Sequence, residues 1–510
     1  MNKDDPAPYN VIISSDCGRN DDERNRYGGP PLFAGFSVGR GAAYMNMPVL
    51  ILLAAALLSG CATYQSRPLE PARTAAAFES RTLDNPALKM FLETNLGHAI
   101  SPWPPSSWDF RSLTLAAFYY HPDLDVARAR WGVAEAGKIT AGQHPNPSFG
   151  FIPQHHSDTA GGLSPWTLGF NLDIPIETAG KRGYRVARAD HLSRAARLNI
   201  AGVAWQVRSR LEGSIFNLYA ALATEPLLQR EETAQSEIVD LLEGRLSAGE
   251  ASLPDVTQAR LALEQTRLLL VEIRKRRAES RVAFASALGV PREAVEGINI
   301  SFDSIGAAPS LPSASEMRRQ ALTNRPDILA LLSEYEAAEA ALRLEIAKQY
   351  PDIHPGPGYQ WDQGDNKWSL GFTVTLPLFN RNQGPVAEAE ARRKETAARF
   401  AALQARVIGE VDQALAGYRA LLAKLAAADA LLSAQQTRHK SAEALFEAGE
   451  TDRLALAAAA LELESAALNR LETFSRLLQA RRALEDALQR PLTLSESFPA
   501  DPRPEKENGK

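Results

Sequence analysis

Few residues in this chain have the type and spacing to do chemistry. One is Cys61, a thiol directly behind an apolar run, where it could accept a lipid. His144 and the pair His155-His156 could in principle ligate a metal. The matching place later in the chain holds no such cluster, so they read as exposed loop histidines. Glu250 and Asp255 follow one Ala-Gly pair, and Glu450 and Asp452, beside Arg453, follow another. Carboxylates there would cap the helices that start next. Nucleophile elbow, phosphate loop, His-Glu-x-x-His and Cys pairs are all absent from the sequence. No catalytic residue, cofactor or metal set is therefore assigned, and the chain does not read as an enzyme. A net charge of -5 gives no reason to expect nucleic acid.

The thiol leads to the elements around it. Met47 to Leu58 is unbroken apolar sequence. About twelve residues is too short for a bilayer-spanning helix, which takes roughly 20, and suits the core of a secretion signal. Leu58-Ser59-Gly60-Cys61 follows at once and resembles the bacterial lipobox, cleaved before a cysteine that is then acylated. Ala62, rather than Asp, then favours outer-membrane sorting by analogy. The chain reads as a polar extension (1–44), a lipoprotein signal (45–60) and a lipid-anchored segment (61–109), with Met45 or Met47 as the expected start. No Lys or Arg lies between Met45 and Cys61, which departs from the usual signal. Cleavage would remove Cys17, the only other cysteine, so no disulfide is expected.

The rest is one unit used twice, with a period of about 200 residues. His121-Pro122-Asp123-Leu124 is answered by Arg325-Pro326-Asp327-Ile328, and Trp166-Thr167-Leu168-Gly169-Phe170 by Trp368-Ser369-Leu370-Gly371-Phe372. Ala248-Gly249-Glu250 is answered by Ala448-Gly449-Glu450, and Ala287-Leu288 with Pro291 by Ala487-Leu488 with Pro491. The offset falls from 204 to 202 to 200 along the chain. The first repeat covers 110–291 and the second 313–491, with a linker at 292–312 and a polar tail at 492–510. Each should hold a helix of about 30 residues (111–142; 314–348), a Pro-rich segment and two short strands. A very long helix (181–247; 384–447) and a return helix (254–288; 454–489) follow, with periodicity as the guide.

Residues 166–176 alternate strictly between apolar and polar, and 368–378 repeat the pattern. That predicts strands with one apolar face, of the length of a membrane-barrel strand. Phe149 and Phe151, and Tyr359 and Trp361, mark weaker partner strands. Trp166 and Trp368 start their strands, where membrane-interface aromatics sit. Four strands cannot close a barrel, and an open edge in lipid leaves backbone groups unpaired. Several chains must share one; three would give about twelve strands. The long helices would reach roughly 100 Å. Val256, Leu263 and Leu270, and Leu454, Leu461 and Leu468, recur every seven residues, as coiled-coil packing requires. Pro226 lies inside the first long helix only, and a kink is expected there.

With these features the chain resembles the TolC-like outer-membrane efflux protein family, from about residue 84 to 491. The duplicated hairpins, the Ala-Gly turns and Leu376-Pro377-Leu378-Phe379-Asn380-Arg381-Asn382-Gln383-Gly384 carry the resemblance. It implies a mainly α fold with a transmembrane β-barrel: antiparallel coiled coils forming a periplasmic tunnel, and four strands per chain in a shared twelve-stranded barrel. It implies a homotrimer in outer-membrane lipid, working with a periplasmic adaptor (membrane fusion) protein and an inner-membrane RND-type transporter. The Leu-Pro-Leu-Phe-Asn-Arg-Asn-Gln-Gly wording is most like the branch that exports heavy-metal cations; drugs or other small molecules are the alternative cargo. In the family the helical turns form the closed periplasmic tip, ringed by acids. Here that points to Gly249, Glu250, Asp255, Gly449, Glu450, Asp452 and Arg453. Asp255 stands at the family's first-repeat aspartate, but its second-repeat match is Ala455, so the ring departs from the pattern. Gating and helix capping both stay open for these acids. A different class, a lipid-anchored adaptor or coiled-coil scaffold, would need a β-rich lipoyl-like region around a single helical hairpin. The two strand pairs speak against it.

Overall fold

The computed structural model describes residues 64–158, 160–306 and 311–492. The expected signal, the acylated Cys61, the polar extension and all but the first residue of the tail lie outside the described residues. From Glu70 onward the described elements belong to one compact unit. They are α1 (Pro71–Glu79), α2 (Pro86–Leu96), α3 (Phe110–Tyr120), α4 (Pro122–Gly142), β1 (Ser148–His155), β2 (Trp166–Asp173), α5 (Lys181–Ser247) and α6 (Leu253–Leu288). The second repeat follows with α7 (Ala314–Asn324), α8 (Pro326–Ala347), β3 (Ile353–Asp362), β4 (Asp365–Val374), α9 (Gln383–Glu447) and α10 (Arg453–Leu488). No described helix is long and apolar enough to cross a membrane.

The expected 30-residue helix of each repeat is in fact two. His121 and Arg325 break them, with ψ of 121° and 128°. Each precedes a proline, whose ring excludes the residue before it from helical backbone and whose own fixed φ then starts the next helix. At the far end, α6 closes on Gly289 at φ +78°. A Cβ there would lie 2.9 Å from His121 Cα, so the site needs glycine for space as well as for its backbone. The Arg81 guanidinium donates to the carbonyls of both Tyr120 (2.8 Å) and Gly289 (2.7 Å), tying the N-terminal segment to this corner.

Each repeat has its own apolar core, where the short helix, the middle of the long helix and the end of the return helix meet. In the first, Leu113 and Phe118 pack with Val207, Leu211, Phe284 and Leu288, and α2 adds Leu88 and Leu92. In the second, Met317 and Ala321 pack with Val407, Val411, Leu415 and Leu484. Below these cores the helices pair as hairpins, α5 with α6 and α9 with α10. Arginines one heptad apart on α6 lace the first hairpin: Arg260 to Glu243, Arg267 to Glu232 and Arg274 to Glu225. Val256, Leu263 and Leu270 are buried in it. Leu454, Leu461 and Leu468 are only half-buried, because small Ala457, Ala459 and Ala466 take the inner positions of α10. The helical run of α5 continues through Pro226 without interruption, held there by the Ala221, Leu228, Leu270 and Ile273 cluster.

The four strands form one antiparallel sheet in chain order, β1-β2-β3-β4. β2 and β4 are shorter than the alternation suggested, ending at Asp173 and Val374. Past Asp173 the chain still pairs: Ile174 donates to Pro355, and Ile176 exchanges both hydrogen bonds with Ile353. β1 and β4 have no outer neighbour among the described strands.

Candidate functional site

Strand alternation sorts the sheet's side chains onto two faces. One face is apolar across its width. Phe151, Phe170, Tyr359 and Trp368 lie level on β1 to β4. Successive ring centroids are 5.1, 6.4 and 4.8 Å apart. Nothing among the described residues covers this face: Trp368 is 81% exposed and Phe372 67%. An apolar patch of this extent on one molecule marks a surface that meets another apolar phase. The opposite face is polar and internally bonded. Thr167 donates to Asp362 (2.6 Å), as does Lys367 (2.6 Å), and His156 lies 2.9 Å from the Thr167 hydroxyl. Nearer the helices, His354 lies 3.1 Å from Asp173.

These positions revise several sequence expectations. Trp166 does start β2, and its ring meets His155 at 4.9 Å. Trp368 does not start β4; the strand begins three residues earlier at Asp365, because the second hairpin closes with a two-residue turn at Gln363-Gly364. His155 and His156 are engaged, one by a ring and one by a hydroxyl.

At the other end of the hairpins, Gly249 (φ +80°) and Gly449 (φ +77°) turn the chain out of α5 and α9. Glu250 and Glu450 return backbone N–H bonds to the Arg245 and Leu445 carbonyls, the left-handed glycine cap that ends many helices. Their carboxylates have no ion-pair partner among the described residues. Asp255 forms a reciprocal capping box with Ser252. Asp452 accepts from the Ala455 N–H at 2.8 Å. That bond and Arg245 beside it hold the Asp452 carboxyl below the usual carboxylate range. Two reciprocal ion pairs join the repeats here, Arg245 with Asp452 and Arg453 with Glu237, each at 2.5 Å.

Two further cross-repeat clusters were not legible from sequence. Arg208 of α5 meets Glu485 of α10 at 2.9 Å and Glu212 at 3.3 Å, while Arg481 approaches Glu212 at 3.6 Å. Burial, then the Glu485 charge, push the Glu212 carboxyl up to about 7, against the pull of both arginines. At the junction of sheet and helices, buried Lys181 donates to the Tyr350 carbonyl and to Asp352, both at 2.6 Å. The Thr178 N–H joins Asp352 at 2.9 Å.

Two helical repeats carrying one shared sheet with an uncovered apolar face match a known sequence profile, that of the outer membrane efflux protein, over residues 117–290 and 317–489. The chain belongs to that family. Among its members, the cobalt-zinc-cadmium resistance protein CzcC of Cupriavidus metallidurans is 28% identical over 264 residues, which are 51% of this chain and 61% of CzcC. The alignment thus spans less than two thirds of that relative. The nickel-cobalt-cadmium resistance protein NccC of Alcaligenes xylosoxydans is 23% identical over 371 residues, 72% of this chain and 80% of NccC. The outer-membrane channel OprN shares the fold, with a TM-score of 0.62 at 18% identity over 84% of this chain and 99% of OprN. The efflux-family fold thus accounts for a mainly helical chain with a small antiparallel sheet.

Proposed function

We propose that this efflux-family protein is the passive exit duct of a tripartite pump. Three copies close one barrel of about twelve strands in the outer membrane, and their helices continue as a tunnel into the periplasm. The observation that carries this reading is the four-stranded sheet with an exposed apolar face and two unpaired edges. Only lipid outside and further strands at both edges satisfy such a sheet. Cys61 is acylated and adds an anchor to the same membrane. A periplasmic adaptor docks on the helical hairpins and an RND-type inner-membrane transporter supplies the driving force. The chain itself is no enzyme. The cargo is a heavy-metal cation, a reading supported by the resistance named in CzcC and NccC.

At the tips, Asp255 and Asp452 act first as helix caps, and the Arg245–Asp452 and Arg453–Glu237 pairs hold the two hairpins in the closed arrangement. The unpaired Glu250 and Glu450 carboxylates supply negative potential at the mouth. Trp166 serves as a membrane-interface anchor at the outer end of the barrel.

The trimer is tested by gel migration of the membrane fraction with and without heating. An SDS-resistant species of three chains that collapses on boiling is expected, and a soluble monomer would sink the duct. For cargo, deletion of the gene should raise sensitivity to cobalt, zinc or cadmium. Unchanged metal tolerance with new drug sensitivity would transfer the cargo to organic molecules.

A further inference from the structure

The polar face of the sheet carries two histidines, and hydrogen bonding fixes which nitrogen of each ring holds the proton. His354 Nδ1 lies 3.1 and 3.2 Å from the two oxygens of Asp173. An ionised carboxylate only accepts, so Nδ1 is the N–H and Nε2 keeps its lone pair. His156 is fixed through a relay. Thr167 donates its only hydroxyl hydrogen to Asp362 at 2.6 Å, so its oxygen accepts from His156 Nε2 at 2.9 Å. There Nδ1 keeps the lone pair. A ring with one nitrogen tied to a carboxylate and the other left free is the arrangement that metal-binding histidines adopt.

The two rings sit at opposite ends of the face. Asp362 follows His354 by eight residues on β3, about 26 Å at 3.3 Å per residue. Between them the face is lined by Gly150, Gly169, Gly356, Gly358 and Gly371, and by no histidine or carboxylate. The ends differ in charge. Asp173 has no Lys or Arg partner among the described residues, and Asp352 beside His354 is already held by Lys181 at 2.6 Å. His354 with Asp173 therefore carries one net negative charge while the ring is neutral. At the other end Lys367 is bonded to Asp362, so an arriving cation meets a fixed ammonium.

We propose that His354, oriented by Asp173, is a contact station for divalent metal cations of the zinc and cobalt type. The reading rests on the duct, which turns the polar face inward. It places one station on each chain, at the end of the barrel nearer the helices. The repeat unit itself does not need the pair. At the offsets of 204 and 202 that relate His121 to Arg325 and Trp166 to Trp368, Gly150 holds the place of His354 and Thr375 that of Asp173. One ring nitrogen with one carboxylate behind it gives brief contact rather than storage. No group of three or more potential ligands lies together among the described residues to hold a metal. Conduction needs that weakness, because an ion that enters must also leave.

Zinc block of the open channel in planar bilayers is the test. Zinc chloride is added on the side of the sheet, and the half-blocking concentration is read. Every chain carries Glu250→Gln and Glu450→Gln, which removes block at the tip carboxylates. His354→Ala should raise the half-blocking concentration about ten-fold or more. His354→Cys, which keeps a zinc ligand, should recover most of the loss. Asp173→Asn should raise it about four-fold, for one charge lost beside the site in wet surroundings. His156→Ala should change it less than His354→Ala does. Heat-modifiable migration checks each trimer, and His354→Gln replaces the alanine variant if that one does not assemble. A parent that zinc does not block, or a block that the His354 variants leave unchanged, overturns the station and leaves the duct intact. A larger shift in His156→Ala overturns the choice of ring. No conducting trimer from the unaltered chain overturns the duct reading itself.

Discussion

Glu212 shows how a residue that looks like solvated surface in sequence becomes a buried group in the fold. Its neighbours in sequence are the charges and small residues of a long helix, and nothing in their period marks it. Arg208 stands one turn back on α5, and the crossing of α5 and α10 adds Arg481 and Glu485 around it. Because its carboxyl is raised from 4.5 to about 7, the folded chain holds a proton that the unfolded chain has lost in that interval. Below 4.5 the group costs nothing. Stability falls as pH rises from 4.5 to about 7, and the full cost, roughly 1–3 kcal/mol, is present above that. Melting profiles at pH 5, 6, 7 and 8 should show a decline that Glu212→Gln flattens; an unchanged slope would place the linkage elsewhere. Lys181 was equally hidden, since its partner Asp352 lies across the repeat boundary. Gly249 and Gly449, by contrast, were readable because positive φ after a helix leaves few alternatives to glycine.

Among the elements, the strands were the most legible, since a sheet with one apolar and one polar face enforces strict alternation. Their ends were less so: pairing depends on a partner strand, and Thr375 to Leu378 keep the pattern with no partner strand among the described residues. The breaks at His121-Pro122 and Arg325-Pro326 were readable in principle, but the apolar periodicity runs through both and masked them. At the tips, four exposed charged groups join the hairpins. An exposed pair contributes about 0.2–1 kcal/mol, so either Arg245→Ala or Arg453→Ala alone should change little. Together they should raise single-channel conductance several-fold in planar bilayers while leaving the trimer's heat resistance unchanged. Unaltered conductance would restrict the tip residues to capping and turning the chain.

For the whole molecule, the duplication predicts two cores of equal rank, yet they differ. The first is enlarged by Leu88, Leu92 and Trp108 from the N-terminal segment, and Arg81 fastens that segment to the end of α6. This addition has no counterpart in the second repeat and so left no mark in the repeat pattern. Arg81→Ala leaves two carbonyls without their donor and should cost about 1–3 kcal/mol, read as a lower melting temperature of the detergent-solubilised trimer. Leu415→Ala, in the second core, should cost about 2–5 kcal/mol, and a smaller loss than Arg81→Ala would contradict the packing described. Neither core includes a strand residue. The helical part therefore has what it needs to consolidate in water, while the sheet has no interior of its own until neighbours and lipid arrive. If the chain is the proposed duct, that separation predicts an order of events: helices first, with the sheet held as an adhesive, insertion-ready ribbon, and ring closure last. Conditions that delay closure, such as scarce membrane or excess chain, should leave a soluble-cored but sticky intermediate that needs periplasmic chaperoning.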